Sequence, residues 1–291
     1  MDFIKSLIRS ANIPLCIYLV LNTFIVTFVL GSLFGGISIS TLLLGLGTYA
    51  ISLAIALSPF GERVLRKQSG CTEIKRKDQL DYIEPIFKEV LEKARNLDSS
   101  IPLDVKLYMK SSEDVNAFAT GRKTVCVTEG MLNAPKEQIK ATLAHEMGHI
   151  AHKDTDLILL VSVGNYIVTF IFISMRLIAR FTKFIGSFGG DKELNLAGRA
   201  SDMVIAVFLW AWTKIGIMLV MKSSRNNEFE ADKFAFKLGY GNALCELLDS
   251  FTGTSTKGLF ANLMNSHPDK NDRIAALMNL GATYSKSYGA N

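Results

Sequence analysis

His145-Glu146-Met147-Gly148-His149 sets two imidazoles four residues apart, with a carboxylate directly after the first. On a helix that spacing puts both rings on one face, aimed at one point, with Glu146 beside them. The pattern is the HExxH arrangement, in which two His hold a metal ion and the Glu serves as general base toward a metal-activated water. The stretch before it supports a helix. Asn133-Ala134-Pro135-Lys136-Glu137 reads as a helix start with Pro in the first turn, and Ile139, Leu143, Ala144 and Met147 follow as its apolar positions.

Two His ligands are half a site, since a catalytic zinc takes a third protein ligand and keeps one open position. Glu228, in Glu228-Phe229-Glu230-Ala231-Asp232, is the candidate third ligand. Asp232 lies one helical turn beyond it, placed to accept the second ring N–H of a ligating His. The expected centre is therefore one Zn2+ per chain on His145, His149 and Glu228, with Glu146 as catalytic base. A metzincin-type third His is excluded, because the position it requires holds Thr155. His152 falls about 60° round the helix from His149 and reads as a surface or membrane-interface residue. His267, in His267-Pro268, could donate to an oxyanion or cap a turn.

Among the 291 residues, 49% are hydrophobic, and the mean hydropathy is +0.25. The apolar residues fall in blocks. Residues 13–33 and 37–60 are apolar enough to form an N-terminal transmembrane hairpin within residues 1–60. Leu157 to Met175 and Met203 to Met221, the latter interrupted only by Lys214, form a second hairpin within residues 157–221. Four transmembrane helices are expected. The first block exceeds a signal-peptide core and reads as an anchor. Arg63, Arg66, Lys67, Lys75, Arg76 and Lys77 follow the second block, and Lys222 and Arg225 follow the fourth, whereas the Gly35-Gly36 link carries no charge. The positive-inside rule then places the catalytic segments and both termini in the cytoplasm. Arg176, Arg180 and Lys183 blur the outer loop, and residues 176–188 could lie on the membrane surface.

Residues 61–156 and 222–291 have the composition of a soluble domain in two pieces, so the metal site joins segments from both sides of a membrane hairpin. Asp78 to Leu97 reads as an amphipathic helix with Pro85 near its start. Leu103 to Tyr108 and Thr124 to Thr128 read as strands, and Asn227 to Leu238, Ala243 to Phe251 and Asp272 to Leu280 as helices. Between the strands, Asn116-Ala117-Phe118-Ala119 reads either as an edge strand that holds an extended peptide by main-chain bonds or as an ordinary loop. Arg225 and Arg273 could pair with Asp232 or Glu230, or join Asn116, Ala117, Phe118 and His267 as substrate or oxyanion contacts. Cys16, Cys71, Cys126 and Cys245 are scattered and read as free thiols. The net charge of +5 fits membrane orientation and anionic lipid, and no nucleic-acid motif accompanies it. A catalytically silent scaffold would not need Glu146. A metal transporter would need more intramembrane polar groups than Lys214, Asn22 and Asn165.

Taken together, the HExxH segment, Asn116 to Gly121, Ser224 to Asp232 and His267-Pro268 before Arg273-Ile274, in that order among four apolar blocks, resemble the HtpX family of bacterial membrane zinc proteases, relatives of the CaaX prenyl proteases. The resemblance covers nearly the whole chain. It implies a zincin-type α+β catalytic domain combined with four transmembrane helices, mainly α overall, and a multi-pass protein of the inner membrane. It also implies polypeptide substrates, notably damaged membrane proteins in stress-linked quality control. By the same resemblance Glu228 matches the third zinc ligand and Glu146 the catalytic glutamate. Arg122-Lys123, leading straight from Gly121 into the next strand, makes this loop short, a departure from the family pattern that bears on the local substrate contacts and not on the metal.

Overall fold

The structure, a computed structural model, describes residues 13–250 and 268–284. Its elements run α1 (Ile13–Leu33), α2 (Ile39–Ala56), α3 (Pro59–Gln68), α4 (Lys77–Leu97), β1 (Lys106–Lys110), β2 (Ala117–Thr120), β3 (Thr124–Thr128), α5 (Lys136–Ala151), α6 (Asp154–Phe188), α7 (Lys192–Lys237), α8 (Gly241–Ser250) and α9 (Lys270–Asn279). A 3-10 turn, Gly130–Asn133, precedes α5. The chain divides into two compact units. One is built from Leu57–Leu159 and the described residues from Met221 onward, the other from Pro14–Ala56 and Leu160–Val220.

The first unit packs helices on one face of a three-stranded sheet of order β1-β3-β2, with β1 parallel and β2 antiparallel to β3. Strand alternation sends Met109, Ala117, Val125 and Val127 into one core with Ile83, Phe87, Val90 and Ala94 of α4 and Ile139, Leu143, Ala144 and Met147 of α5. Leu143 is wholly enclosed. The opposite face carries Tyr108, Cys126 and Phe118.

Several local expectations shift. The first strand begins at Lys106, not Leu103, because Leu103-Asp104 forms a turn and leaves Leu103 exposed, whereas pairing with β3 continues through Lys110 and Thr128. Pro135 is the residue before α5 rather than part of its first turn. Pro85 lies well inside α4, on its exposed side, where the carbonyl it strands can meet water. The 37–60 block is two helices. Ser58 caps α3 by accepting from the N–H groups of Phe60 and Gly61 at 3.2 and 3.5 Å, and Pro59 disfavours helical backbone at Ser58.

In the second unit, the segment 176–188 continues α6 as helix. Arg176 and Arg180 bond to Asp202 of α7 at 2.7 and 3.3 Å. Asn22 is buried among apolar helices and satisfied on both sides of its amide: it donates to Tyr49 Oη at 3.1 Å and accepts from Trp212 Nε1 at 2.9 Å. Lys214 is exposed. Among the described residues two helices, Ile39–Ala56 and Lys192–Gly216, are long and apolar enough to cross a bilayer. The apolar part of α1, Cys16–Ser32, is shorter, so four spans are not established by helix length and composition.

Helix α7 runs without a break from Lys192 to Lys237, so the helix expected from Asn227 is its final turns. Those turns cross α5 at Gly148. A β-carbon there would lie 2.9 Å from Ala231 Cα and 3.0 Å from Phe234 Cβ. An interior helical Gly costs about 1 kcal/mol relative to Ala. The close approach of two backbones explains why it is retained. Since backbone cannot rotate aside as a side-chain tip can, Gly148→Val is expected to destabilise this unit by about 1–3 kcal/mol or more, as overpacking does. It should also weaken metal retention, because the same crossing carries Glu228 to the histidines. A denaturant midpoint and zinc content equal to wild type would show that the crossing is not tight.

Candidate metal centre

Helix α5 buries nearly all of the HExxH segment. His145 is 5% exposed and Glu146 7%. The Nε2 atoms of His145 and His149 face each other at 3.2 Å. Glu228, 2% exposed, brings its carboxylate to 3.4 Å from His145 Nε2 and 3.5 Å from His149 Nε2. The helical period placed the two rings on one face, and the Gly148 crossing supplies the carboxylate from α7.

The other nitrogen of each ring fixes the tautomer. His145 Nδ1 lies 2.9 Å from Asp232 Oδ1, and His149 Nδ1 lies 3.1 Å from Asp154 Oδ2. A carboxylate accepts, so each Nδ1 carries the hydrogen and each Nε2 presents a lone pair to the shared point. Two lone pairs at 3.2 Å repel unless positive charge lies between them. In a tetrahedron with bonds of about 2.0–2.1 Å, ligand atoms stand roughly 3.3 Å apart, close to the spacings seen. His145, His149 and Glu228 could therefore hold a metal ion, and their chemistry, two neutral imidazoles and one carboxylate, is a donor set that suits zinc.

Arg273, on α9, is buried and grips Asp232 with two bonds, Nε to Oδ2 at 2.8 Å and Nη2 to Oδ1 at 2.6 Å. Its Nη1 lies 3.2 Å from Glu228 Oε2. This differs from a substrate or oxyanion contact: the guanidinium is committed behind the centre, where it orients both α7 carboxylates. Its approach to His145 Nδ1 at 3.5 Å sets donor against donor once that nitrogen carries hydrogen, so it is a contact rather than a bond. Burial raises the cost of charging Asp232, but Arg273 and His145 outweigh it and hold the carboxyl below its usual range. Burial pushes both imidazoles toward neutrality, and the carboxylates prevail. Asp232 and Glu228 raise the proton affinity of His145, and Asp154 and Glu228 raise that of His149 further.

Glu146 turns toward the sheet, where its Oε2 accepts from the main-chain N–H of Ala119 at 2.6 Å. In the expected edge segment, Asn116 is occupied: its carbonyl accepts from Thr128 N at 2.9 Å and its N–H donates to Thr128 Oγ1 at 3.0 Å. From that register, the antiparallel alternation turns the main chain of Phe118 toward β3 and those of Ala117 and Ala119 toward the open edge. The Phe118 side chain lies on the sheet face away from α5. Of the three residues in this segment expected to touch substrate, Ala117 thus has the suitable placement, joined by the main chain of Ala119.

His152 caps α5 and stacks edge-on against Phe234 at 6.1 Å, away from the metal donors. His267 and the side chain of Arg225 lie outside the described residues. Asp154 is the partner that sequence reasoning missed. It follows Lys153, whose φ of +63° turns the chain back after α5. It stands five residues past His149, a spacing no helical period brings into register.

Residues 81–280 match the model of "Peptidase family M48". A protease HtpX homolog of Acaryochloris marina is 27% identical over 276 residues, covering 86% of this chain and 85% of the relative. Protease HtpX of Shewanella frigidimarina is 28% identical over 269 residues, with 85% and 90% covered. The crystal structure of S. mikatae Ste24p aligns with a TM-score of 0.46 at 18% identity, over 88% of this chain and 61% of that longer one. The chain belongs to peptidase family M48 and is a membrane-associated metalloprotease.

Proposed function

We propose that the chain is a zinc endopeptidase embedded in the inner membrane by four helices, cutting damaged membrane proteins at the cytoplasmic face. The observation that carries the hydrolytic part is the convergence of His145 Nε2, His149 Nε2 and the Glu228 carboxylate beside Glu146. Those three side chains would hold one zinc ion, whose Lewis acidity would be available to the scissile carbonyl and to a water. Glu146 then accepts the attacking water's proton and delivers it to the leaving amine nitrogen. The Ala119 N–H orients the Glu146 carboxylate for both transfers. An extended peptide adds beside β2, using the edge-facing main chain at Ala117 and the Ala119 carbonyl. Asp232 and Asp154 hold the two imidazoles in the ligating tautomer, and Arg273 holds Asp232. The cytoplasmic placement is supported by the basic residues after the apolar blocks, and the membrane substrates by the similarity to HtpX proteases.

Glu146→Gln in detergent-purified protein is expected to abolish casein-type hydrolysis while zinc stays near one per chain, because the amide removes a base and no ligand. Loss of zinc together with activity would make Glu146 part of the metal cage instead. Glu228→Ala is expected to empty the site, whereas Glu230→Ala, exposed and two residues on, should keep its metal. Asp154→Ala and Asp232→Ala should each weaken zinc binding or turnover by about 10- to 100-fold. Zinc loss from Glu230→Ala alone would overturn the ligand set.

Reporter fusions give an independent check of orientation. Lys75 and Lys222 should report from the cytoplasm, and Gly35 and Gly189 from outside. A fusion at Lys75 active only outside the cell would rule out cytoplasmic quality control.

A further inference from the structure

The sheet face turned away from the hydrolytic site carries two thiols that hydrolysis does not use. Cys126 on β3 stands between Tyr108 of β1 and Phe118 of β2, and Cys71, just beyond α3, packs into the same cluster. Cys126 is wholly enclosed, and Cys71 is 7% exposed. The two thiols share this buried cluster and lie close enough for each to displace the other's titration. Cys71 is fixed in place by its own backbone: its N–H donates to Arg66 O at 3.0 Å, and Thr72 exchanges bonds of 2.8 and 2.9 Å with Met109. Cations rim the cluster, with Arg66 4.5 Å over the Tyr108 ring and Lys110 5.9 Å over the Phe118 ring.

We propose that Cys71 and Cys126 form a redox-responsive dithiol, which a hydroperoxide converts to a disulfide that ties the segment after α3 to the central strand and disturbs the edge strand beside Glu146. The Cys71 thiolate attacks one peroxide oxygen, the O–O bond breaks, and the departing oxygen takes the thiol's proton to leave as water or alcohol. Cys126 sulfur then attacks the Cys71 sulfenic sulfur. An S–S bond forms, the S–O bond breaks, and the hydroxyl leaves with the Cys126 proton as water. Two thiols lose two electrons and the peroxide gains them.

The order follows from the surroundings. Cys71 is the more accessible thiol. The adjoining Cys126 favours its thiolate, burial opposes it, and the charges of Lys110 and Arg66 favour it again, with a net downward displacement. Cys126 is pushed far up by sharing with Cys71 and by burial, so it waits as the resolving thiol. Cys245 is the internal contrast: burial, with the charges of Asp232 and Glu246, pushes it up to about 11, and no second thiol adjoins it among the described residues. The consequence for hydrolysis rests on Glu146 acting as the proton carrier. Phe118 pairs with Cys126 immediately before Ala119, whose N–H holds that carboxylate.

The test treats the full-length protein in detergent with hydrogen peroxide, then maps disulfide-linked peptides by mass spectrometry while hydrolysis is followed. A peptide joining Cys71 to Cys126, with Cys245 still reduced and hydrolysis falling on the order of 10-fold or more until dithiothreitol restores it, is expected. Cys71→Ala should keep basal hydrolysis and lose the peroxide response. Cys126→Ala should leave a dimedone-reactive sulfenic acid on Cys71. Absence of the linked peptide in protein that keeps its far-ultraviolet circular dichroism would overturn the dithiol. A linked peptide with unchanged hydrolysis would overturn its effect on the edge strand. If the untreated protein hydrolyses nothing, the zinc-peptidase reading fails, and the linked peptide still decides the dithiol.

Discussion

The metal centre is first a problem of buried charge. Glu146, Glu228, Asp232 and Asp154 converge within one enclosed region, and Arg273 is the permanent cation among them. Four carboxylates against one guanidinium cannot be buried at moderate cost unless further positive charge joins them. Protons on the imidazoles can supply it, which is why both histidines are driven upward against their own burial. A dication at the shared Nε2 point supplies it as well, and leaves the rings neutral. Protons and metal therefore compete for the same two nitrogens, and the carboxylates behind the rings strengthen the attraction for either. Removing Arg273 would worsen the imbalance and release its 3.2 Å contact with Glu228 as well as its grip on Asp232.

Helix periodicity made the front of this centre legible. His145 and His149 share a face, and Glu228 and Asp232 share another, because each pair is separated by one turn. What the period could not supply was the reversal at Lys153, which returns Asp154 to His149 across a break between helices. Nor could it choose between Asp232 and Glu230 for Arg273, since that pairing depends on where α9 packs. The strand error has a simple source. Leu103, Val105 and Leu107 alternate as a strand would, but Leu103 is the exposed residue of a turn. Charge gave the α6 boundary poorly for a related reason: Arg176 and Arg180 read as a loop signal until Asp202, on the neighbouring helix, neutralises them within continuous helix.

Gly148 shows how one motif position serves two purposes. HExxH leaves its fourth position open to any residue that keeps the helix, yet here the position also sets the distance between α5 and α7. A side chain would move Glu228 and Asp232 together, so ligand and tautomer control would fail as one. Under the proposed ligand set metal retention is tied to helix packing, so a packing variant and a ligand variant should share a phenotype while differing in stability.

The turn after β2 is restrained from two sides. Glu62 of α3 accepts from Lys123 N and Thr124 Oγ1, both at 2.9 Å, and Arg122 reaches Asp156 at the start of α6 at 3.3 Å. Gly121, at φ +67°, makes the turn, and a β-carbon there would meet the Glu62 side chain. Both restraints come from segments adjoining apolar helices: α3 follows α2 directly, and Asp156 lies in the first turn of α6. The edge strand beside Glu146 is consequently held by residues that adjoin the apolar helices α2 and α6 in sequence, and through Ala119 it holds Glu146. Displacing α3 would reach Glu146 through the turn without altering His145, His149 or Glu228. Under the proposed mechanism such a change would lower turnover while leaving metal content intact, whereas disturbing the α5–α7 crossing would lower both.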